Sequence, residues 1–325
     1  MTILVTGGAG YIGSHMILEL LDYGQEVIVL DNLSTGCKEA IHGDAQFVRG
    51  DISEAHIIDE ICRTSEICSV FHFAGSTSVP ESVSNPLRYY QNNVEGSRSL
   101  VENLQRNNVK NLVFSSTAAV YGMCGSAPVS ETSPCQPTSP YGWSKYFAEQ
   151  ILHDVSQAHG INVAVLRYFN VAGADPDGRL GQLTPNAGSL IKSACEVAVG
   201  KRDVLKVFGQ DYDTPDGTCI RDFIHVSDLA CAHRLALDYL QTENMNVLCN
   251  LGYGIGNSVS EIVRAVGKAA GKTLPIRHMP RRPGDLEMVI SQSDRAKSIL
   301  GWTPVYDDID YIVKTAFDWE NSIAR

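Results

Sequence analysis

The sequence lacks both the long apolar runs of membrane proteins and the positive charge of nucleic-acid-binding proteins. None of its apolar stretches approaches the roughly 18 residues that a membrane-spanning helix needs. Its formal net charge is -11, whereas nucleic acid and anionic membranes both favour a basic surface. The chain does not open on a basic stretch followed by a short apolar segment and a cleavage site. We therefore expect a cytoplasmic protein with no membrane or nucleic-acid partner.

Patterned cysteines and histidines are also lacking. The nine cysteines include no Cys-x-x-Cys pair, and the nine histidines do not show the spacing of metal ligands. We therefore expect reduced thiols and no bound metal. There is no internal repeat, and 325 residues are enough to bury a sizeable core, so we expect two lobes of one unit.

Three glycines near the start of the chain follow a short apolar run. Residues 3–6 resemble a strand, Gly7, Gly10 and Gly13 come next, and residues 14–22 have the apolar spacing of a helix. Such glycines permit a tight turn and a close approach to a pyrophosphate, and the start of a helix offers free N–H groups. The pattern predicts a dinucleotide site; the alternative is a glycine-rich turn that binds nothing.

An aspartate at the end of the next apolar run strengthens this interpretation. Asp31 comes 18 residues after Gly13, a spacing at which a carboxylate accepts hydrogen bonds from the ribose hydroxyls of a dinucleotide. No arginine follows among residues 32–36 to offset repulsion of a 2′-phosphate. The sequence therefore predicts NAD as the cofactor rather than NADP.

Further apolar runs alternate with helical patterns along the first half of the chain. The runs at 47–52, 70–75 and 112–117 each end in small or polar residues, as the carboxyl ends of parallel strands do. This rhythm predicts an α/β fold with a Rossmann-type, doubly wound parallel sheet.

The segment 139–145 combines a helix start with two reactive side chains. Ser139 is a good N-cap and Pro140 suits the first helical turn, so Tyr141 and Lys145, four residues apart, share a helix face. A lysine cation beside a phenol is expected to lower the pKa of that phenol toward the range of a useful base. Taken alone, the pattern more often marks an amphipathic helix with an exposed lysine and a half-buried tyrosine.

Five motifs together resemble the extended short-chain dehydrogenase/reductases, and within that family the members that epimerise UDP-sugars. They are Thr-Gly-Gly-x-Gly-Tyr-Ile-Gly-Ser-His at 6–15, Ser-Ser-Thr-Ala-Ala-Val-Tyr-Gly at 115–122, Tyr141 with Lys145, Arg-Tyr-Phe-Asn at 167–170, and Arg-Asp-Phe-Ile-His-Val at 221–226. Their order matches over nearly the whole chain.

The resemblance implies a catalytic set of Thr117, Tyr141 as the acid/base, and Lys145, which would bind the nicotinamide ribose and tune Tyr141. It implies cofactor contacts by Gly7, Gly10, Tyr11, Ile12, Gly13, Asp31, Asn32, Asp51, Ile52, Phe73, Ala74, Gly75, Asn92, Ser115, Tyr141, Lys145 and Phe169. It implies substrate contacts by Thr117, Tyr141, Asn170, Ser189, Leu190, Phe208, Arg221, Arg282, Asp285 and Val289. The chain departs from the pattern at Thr77, where a cofactor-binding lysine is usual, and at Ser189, where asparagine or histidine is frequent.

A turn-rich stretch at 175–178 indicates a passage from one lobe into a second. We predict an NAD-binding domain over residues 1–175, to which residues 219–242 return, and a smaller C-terminal UDP-sugar-binding lobe over residues 176–325. Arg221 and the pair Arg281-Arg282 are candidates for a diphosphate clamp, because guanidinium groups pair bidentately with phosphate oxygens. The alternative for the pair is a solvated surface loop.

Several reactions begin with oxidation of the sugar at C4, and the residues after Thr117 discriminate between them. Dehydratases of this family carry an Asp-Glu pair there, whereas Ala118-Ala119 has no titratable group. We therefore predict redox-neutral inversion of C4, through a transient 4-ketone, between UDP-glucose and UDP-galactose. The alternatives are a non-catalytic NAD-binding regulatory or scaffold protein, which would not need Tyr141 and Lys145, and an NADPH-dependent reductase, against which Asp31 counts.

Two further expectations come from the resemblance. The family commonly forms homodimers through paired helices, which here would be supplied by residues 92–105 and 144–155. The position of a bulky tyrosine beside the sugar's 2-substituent is Val289 in this chain. UDP-N-acetylglucosamine is therefore a possible second substrate, unless Val289 is only a strand residue facing the core.

Overall fold

The computed structural model describes residues 2–123, 128–184, 188–282 and 285–324. Its strands are β1 Thr2–Thr6, β2 Glu26–Asp31, β3 Gln46–Arg49, β4 Ile67–His72, β5 Asn111–Ser115, β6 Asn162–Tyr168, β7 Asn170–Ala172, β8 Leu205–Phe208, β9 Ile220–His225, β10 Val247–Leu251, β11 Gly256–Ser258, β12 Ile276–Met279 and β13 Met288–Val289. Its α-helices are α1 Tyr11–Asp22, α2 Ala55–Thr64, α3 Val79–Ser84, α4 Pro86–Tyr89, α5 Gly96–Arg106, α6 Pro140–His159, α7 Leu190–Ala198, α8 Val226–Glu243, α9 Val259–Ala270, α10 Asp294–Leu300 and α11 Ile309–Ser322. A π-helical turn, Tyr90–Glu95, joins α4 to α5, and short 3-10 helices span Lys38–Ala40 and Ala118–Val120.

The main sheet has seven parallel strands in the order β10-β6-β5-β4-β1-β2-β3. From β1 the chain adds β2 and β3 on one side and then β4, β5, β6 and β10 on the other side. The order of the strands therefore reverses between β1 and β4. Open α/β sheets bind ligands at the carboxyl edge beside such a reversal. The predicted Rossmann-type, doubly wound fold is confirmed.

Helices cover both faces of this sheet, which is why most side chains of its central strands are apolar. On β1, Ile3 and Val5 join a core formed with α1 and α8, whereas Leu4 joins a second core formed with α2, α5 and α6. This alternation places successive side chains of one strand on opposite faces. Both sets of side chains are almost fully buried.

A smaller set of strands and helices follows the main sheet. β9 pairs in parallel with β7 and β13 and antiparallel with β11, and β8 pairs with β12. Side chains of α7, α9 and α11 form a third core against these strands. In the described part of the chain, no helix combines the length and the apolar character needed to cross a membrane.

The segment 219–242, expected to return to the main domain, divides between the two sheets. Its helix, α8, packs on the main sheet, but its strand, β9, pairs within the smaller sheet. The strand that joins the main sheet is β10, which lies just beyond this segment and pairs with β6. The boundary at residue 175 stays a prediction.

Candidate active site

The glycine turn between β1 and α1 is closely packed by backbone. Gly7 has φ +73°, and a Cβ there would lie 2.4 Å from the backbone nitrogen of Ala74. A Cβ on Gly13 would lie 2.4 Å from the Gly7 carbonyl oxygen. Gly10 is the N-cap of α1 and supplies no side-chain cap, so N–H groups of the first turn remain available to an anion.

Asp31 ends β2 beside this turn and is held by two backbone groups. Its Oδ2 accepts a hydrogen bond from the Ala9 N–H at 2.9 Å, and its Oδ1 accepts one from the Leu33 N–H at 2.8 Å. Asn32 follows and donates to the Asp51 carboxylate at 2.7 Å. A carboxylate is thereby fixed next to the glycine turn, where a ribose would lie.

The third part of this edge is the segment after β4. The Phe73 ring stacks on the Phe71 ring, with centroids 6.4 Å apart. A Cβ on Gly75 would lie only 3.0 Å from the Asn93 Oδ1, so a glycine leaves space at this position. Asn92 donates to the Ser76 hydroxyl at 2.9 Å. Two other predicted cofactor residues lie in the apolar packing, Ile12 partly buried and Ile52 buried.

Helix α6 carries the predicted acid/base at its first turn. The Ser139 hydroxyl accepts a hydrogen bond from the Gly142 N–H at 3.2 Å, as an N-cap does, and Pro140 occupies the start of the helix. Tyr141 is 9% exposed, and the Thr117 side chain forms a hydrogen bond with it. Thr117 itself caps the 3-10 helix by accepting from the Ala119 N–H at 3.1 Å. A hydroxyl and a phenol therefore meet at this edge of the sheet.

Lys145 lies deeper on the same helix face. Its ammonium donates to the Ser115 carbonyl oxygen at 2.9 Å and lies 4.9 Å from the centroid of the Phe114 ring. Burial lowers the pKa of Lys145 to about 8. The Ser115 hydroxyl forms a short hydrogen bond with the Tyr168 phenol. The end of β5 thus holds both Lys145 and Tyr168.

The pKa of Tyr141 moves in the direction opposite to the sequence-based expectation. Burial raises the pKa of this phenol, and the hydrogen bond with Thr117 opposes the rise. The expected lowering by Lys145 is not found; the ammonium donates instead to the Ser115 carbonyl oxygen. In this structure, Thr117 is the group that favours the phenolate.

A cavity of about 130 Å³ is lined by residues of α1, β7, α7 and α11. Of the predicted substrate residues, Asn170, Ser189 and Leu190 line it, together with the predicted cofactor residue Tyr11. Ser189 also donates from its hydroxyl to Gln182 at 3.1 Å, and the Tyr11 phenol donates to the Gly173 carbonyl at 2.7 Å.

A second group of predicted substrate residues lies around β9 and consists of Phe208, Arg221, Arg282, Asp285 and Val289. Neither this group nor Thr117 and Tyr141 line the cavity. Arg221 donates to the Asp285 carboxylate at 2.6 Å, so the candidate phosphate clamp is engaged in an ion pair. The Arg282 guanidinium lies 3.9 Å from the centroid of the Phe208 ring. Its neighbour Arg281 is bonded instead to Asp211.

Val289 is a strand residue that also borders the predicted site. It pairs with Arg221 in the parallel β9–β13 register. Its side chain is partly buried and packs against an apolar cluster that includes Tyr121 and Phe169. This packing agrees with the interpretation of Val289 as a core residue, whereas its role as a wall of the sugar pocket stays a prediction.

The model of the NAD dependent epimerase/dehydratase family matches residues 3–252, which is more than half of the chain. The chain belongs to this family. Membership confirms the predicted cofactor class and agrees with the main sheet and its glycine turn.

Known relatives in this family match the chain almost from end to end. A UDP-glucose 4-epimerase of Azospirillum brasilense is 50% identical over 99% of this chain and 93% of that protein. The crystal structure of UDP-glucose 4-epimerase from Brucella ovis in complex with NAD has a TM-score of 0.95 at 42% identity, covering 98% of each chain. The UDP-Glc/GlcNAc 4-epimerase of Campylobacter jejuni has a TM-score of 0.85 at 46% identity, covering 99% of each chain.

The residues at the strand ends fit the family's cofactor. The tight glycine turn leaves no room for side chains where a pyrophosphate would approach, and the fixed Asp31 carboxylate suits the hydroxyls of a ribose. When bound, NAD supplies a hydride acceptor that can return the hydride. Within residues 32–36 there is no cation to favour a 2′-phosphate.

Sequence reasoning missed Asn93, which lies among the predicted site residues. Asn93 is only 1% exposed, accepts from the Ser76 N–H at 2.7 Å, and donates to the Ser76 carbonyl and to the Ser144 hydroxyl. It thereby joins the segment after β4 to α6. The Asn-Asn pair was a visible signal, but the π-helical turn that aims Asn93 inward was not.

Proposed function

We propose that the protein inverts C4 of UDP-glucose and UDP-galactose through a transient 4-ketone. The observation that carries this proposal is the convergence of Thr117 and Tyr141, with Lys145 on the same helix face, next to Ala118 and Ala119. The family contains both epimerases and dehydratases, and elimination of water needs an acid and a base that these two alanines do not supply. The names of the relatives agree with this choice.

Tyr141 takes the proton of the sugar's 4-hydroxyl and later returns it. The hydrogen bond from Thr117 favours the phenolate against the effect of burial. Lys145 contributes a positive charge close to the end of β5, since its pKa of about 8 leaves it mostly protonated at neutral pH. A general acid/base placed in this way contributes roughly 10²- to 10⁴-fold to the rate.

The nucleotide part of the substrate is held by the group around β9. Arg221 exchanges or shares its bond to Asp285 when a diphosphate provides stronger acceptors. Arg282 and Phe208 offer a stacked cation and ring beside it. Asn170, Ser189 and Leu190 border a separate cavity, which Thr117 and Tyr141 do not line.

The test is incubation of the purified protein with UDP-galactose and no added reductant. We expect an equilibrium mixture of UDP-glucose and UDP-galactose without net accumulation of NADH. A 4-keto-6-deoxy sugar, or a stoichiometric requirement for NADPH, would contradict the proposal. The Tyr141→Phe variant serves as the background control.

We propose UDP-N-acetylglucosamine as a second substrate. Two observations favour it: Val289 is much smaller than a tyrosine and borders the cluster around Phe169, and the Campylobacter jejuni relative is named for both sugars. A smaller side chain leaves space for an N-acetyl group next to C2.

The variant Val289→Tyr tests this assignment. We expect it to lose turnover of the N-acetylated sugar selectively and to keep most turnover of UDP-glucose. Val129→Ile, a matched change within the same apolar cluster, controls for effects of repacking. Equal loss of both activities in Val289→Tyr would contradict the pocket argument, as would a wild type that cannot turn over the N-acetylated sugar.

We infer that the protein forms an isologous homodimer through its α6 side. Exposed apolar side chains lie together there: Trp143 is 36% exposed, Phe147 41% and Leu87 77%. The Trp143 and Phe147 rings contact each other, with centroids 5.4 Å apart. Residues 92–105 and 144–155 are the helices that we expect to pair.

Light scattering tests the dimer. We expect twice the chain mass at micromolar concentration, and a monomer for the variant Leu87→Glu with Phe147→Glu. A wild type that is monomeric under these conditions would contradict the inference. The cytoplasmic location stays a prediction from the sequence.

A further inference from the structure

Glu149 continues the buried face of α6 on which Tyr141 and Lys145 lie. The three residues are spaced four apart, which places them on one side of a helix. Tyr141 is 9% exposed, Lys145 3% and Glu149 4%. A carboxylate in such a position needs partners, because an unpaired buried charge is strongly unfavourable.

The three side chains of this face contact three consecutive residues, the last residue of β5 and the two that follow it. Lys145 donates to the Ser115 carbonyl, the Ser116 hydroxyl donates to the Glu149 carboxylate, and the Tyr141 phenol forms a hydrogen bond with the Thr117 side chain. The backbone that carries Thr117 is therefore attached to α6 at each residue. Glu149 provides the middle attachment.

Arg167 on β6 completes the surroundings of Glu149. Its Nε donates to Oε1 at 3.0 Å and its Nη2 donates to Oε2 at 2.5 Å. Its Nη1 donates to the Tyr121 phenol at 3.1 Å, at the far end of the 3-10 helix that begins after Thr117. The ion pair therefore fixes the loop 115–121 at both ends.

A buried ion pair adds little to the free energy of unfolding compared with apolar residues of the same volume. Replacing both partners by apolar residues of similar volume is often neutral or stabilising, whereas removing one partner is costly. The carboxylate has a second neighbour of opposite charge, Lys145, one helical turn away. Burial lowers the pKa of Lys145, and the charge of Glu149 acts in the opposite direction.

We propose that Glu149 is a positioning residue for the catalytic trio: it anchors Ser116, and hence Thr117, to α6, and its charge holds Lys145 as the ammonium ion. This inference rests on the proposed function, in which Thr117 and Lys145 assist Tyr141. The other titratable or charged groups that face this region are Tyr141 on α6, His72 on β4, and Arg167 and Tyr168 on β6. Glu149 is the anion among them.

The test compares Glu149→Gln with Ser116→Ala in the full-length protein. The titration of Lys145 is followed by ¹³C NMR of the lysine ε-carbons, with the signal assigned through Lys145→Arg. We expect Glu149→Gln to lower the titration midpoint of Lys145 by roughly one pH unit, to shift the alkaline limb of the kcat profile by the same amount, and to reduce kcat. Ser116→Ala should reduce kcat but leave the midpoint unchanged, because it removes the anchor and keeps the charge.

An unchanged midpoint in Glu149→Gln would overturn the proposal, and so would an equal shift of the midpoint in Ser116→Ala. If Glu149→Gln does not fold because Arg167 is left unpaired, the double variant Glu149→Gln with Arg167→Gln takes its place under the same criteria. The NMR titration does not depend on turnover. A wild type that fails to epimerise would therefore refute the proposed function, while the coupling of Glu149 to Lys145 would still be tested.

Discussion

At the scale of single residues, the proposed chemistry depends on the Tyr141 phenol. Tyr141→Phe removes one hydroxyl from a site whose ring packs edge-on against Tyr89, so the fold should be retained. We expect kcat to fall by roughly 10²- to 10⁴-fold, the range for loss of a positioned acid/base. Tyr146→Phe on the same helix is the matched control and should keep wild-type turnover. Near-normal kcat in Tyr141→Phe would show that another group transfers the proton.

The position of Asp31 leads to a separate prediction about the cofactor. Its carboxylate is fixed by the N–H groups of Ala9 and Leu33, so it cannot easily turn away from a 2′-phosphate. We expect calorimetry on the cofactor-free protein to show much tighter binding of NAD than of NADP. The Asp31→Asn variant should reduce this difference, since it removes the charge and keeps the shape. Equal affinity of the wild type for both dinucleotides would refute the prediction.

At the scale of elements, α6 organises the site because its start fixes Tyr141. The Ser139 cap satisfies the Gly142 N–H, and the helix continues for 20 residues to the left-handed Gly160. We expect Ser139→Ala to lower the free energy of unfolding by about 1 kcal/mol and to reduce kcat. The measurement is urea unfolding together with steady-state kinetics. Ser139→Asp, which preserves a cap, should restore both quantities.

The sequence predicted those parts of α6 that are local and missed those that depend on distant partners. The cap, the proline and the four-residue stagger of Tyr141 and Lys145 follow from neighbours in the chain. The bond of Lys145 to the Ser115 carbonyl joins residues 30 apart, and no spacing rule gives it. The raised pKa of Tyr141 has the same origin, because burial is a property of the assembled fold.

The same distinction applies to the segment that begins at Ile220. The pattern of residues 221–240 predicts a strand followed by a helix, and β9 and α8 confirm it. It could not indicate which sheet would take the strand, because the partners of β9 are β7, β11 and β13, which contain only three, three and two residues. Such short strands have no recognisable periodicity, so pairing with the main sheet was the simpler expectation.

At the scale of the whole molecule, four buried histidines make the free energy of unfolding depend on pH. Burial lowers the pKa of His72 and His225 to about 3, and the pKa of His15 and His233 to about 4. The unfolded chain binds protons at these residues near pH 6.5, well before the folded chain does. The contribution of these neutral histidines to the free energy of unfolding is therefore complete above pH 6.5, and it is lost as the pH falls below that value.

Urea unfolding between pH 7 and pH 4.5 measures this loss. Each such histidine should contribute roughly 1.4 kcal/mol per pH unit below its unfolded pKa. His233→Phe should reduce the slope of the free energy of unfolding against pH by the equivalent of about one proton. The fold should tolerate the change, because the centroid of the His233 ring lies 5.0 Å from that of the Phe73 ring. The exposed His153→Gln is the control and should leave the slope unchanged. A stability that is constant over this range would contradict the burial of these rings as neutral groups.

The central claim for the whole molecule is that a hydride leaves C4 of the sugar and returns to the same carbon. UDP-galactose labelled with deuterium at C4 tests this most directly, with the UDP-glucose formed in ordinary water analysed by mass spectrometry and NMR. We predict that the product keeps the deuterium at C4 and gains no hydrogen from solvent at carbon. Loss of the label to water, or its appearance at another carbon, would contradict the account.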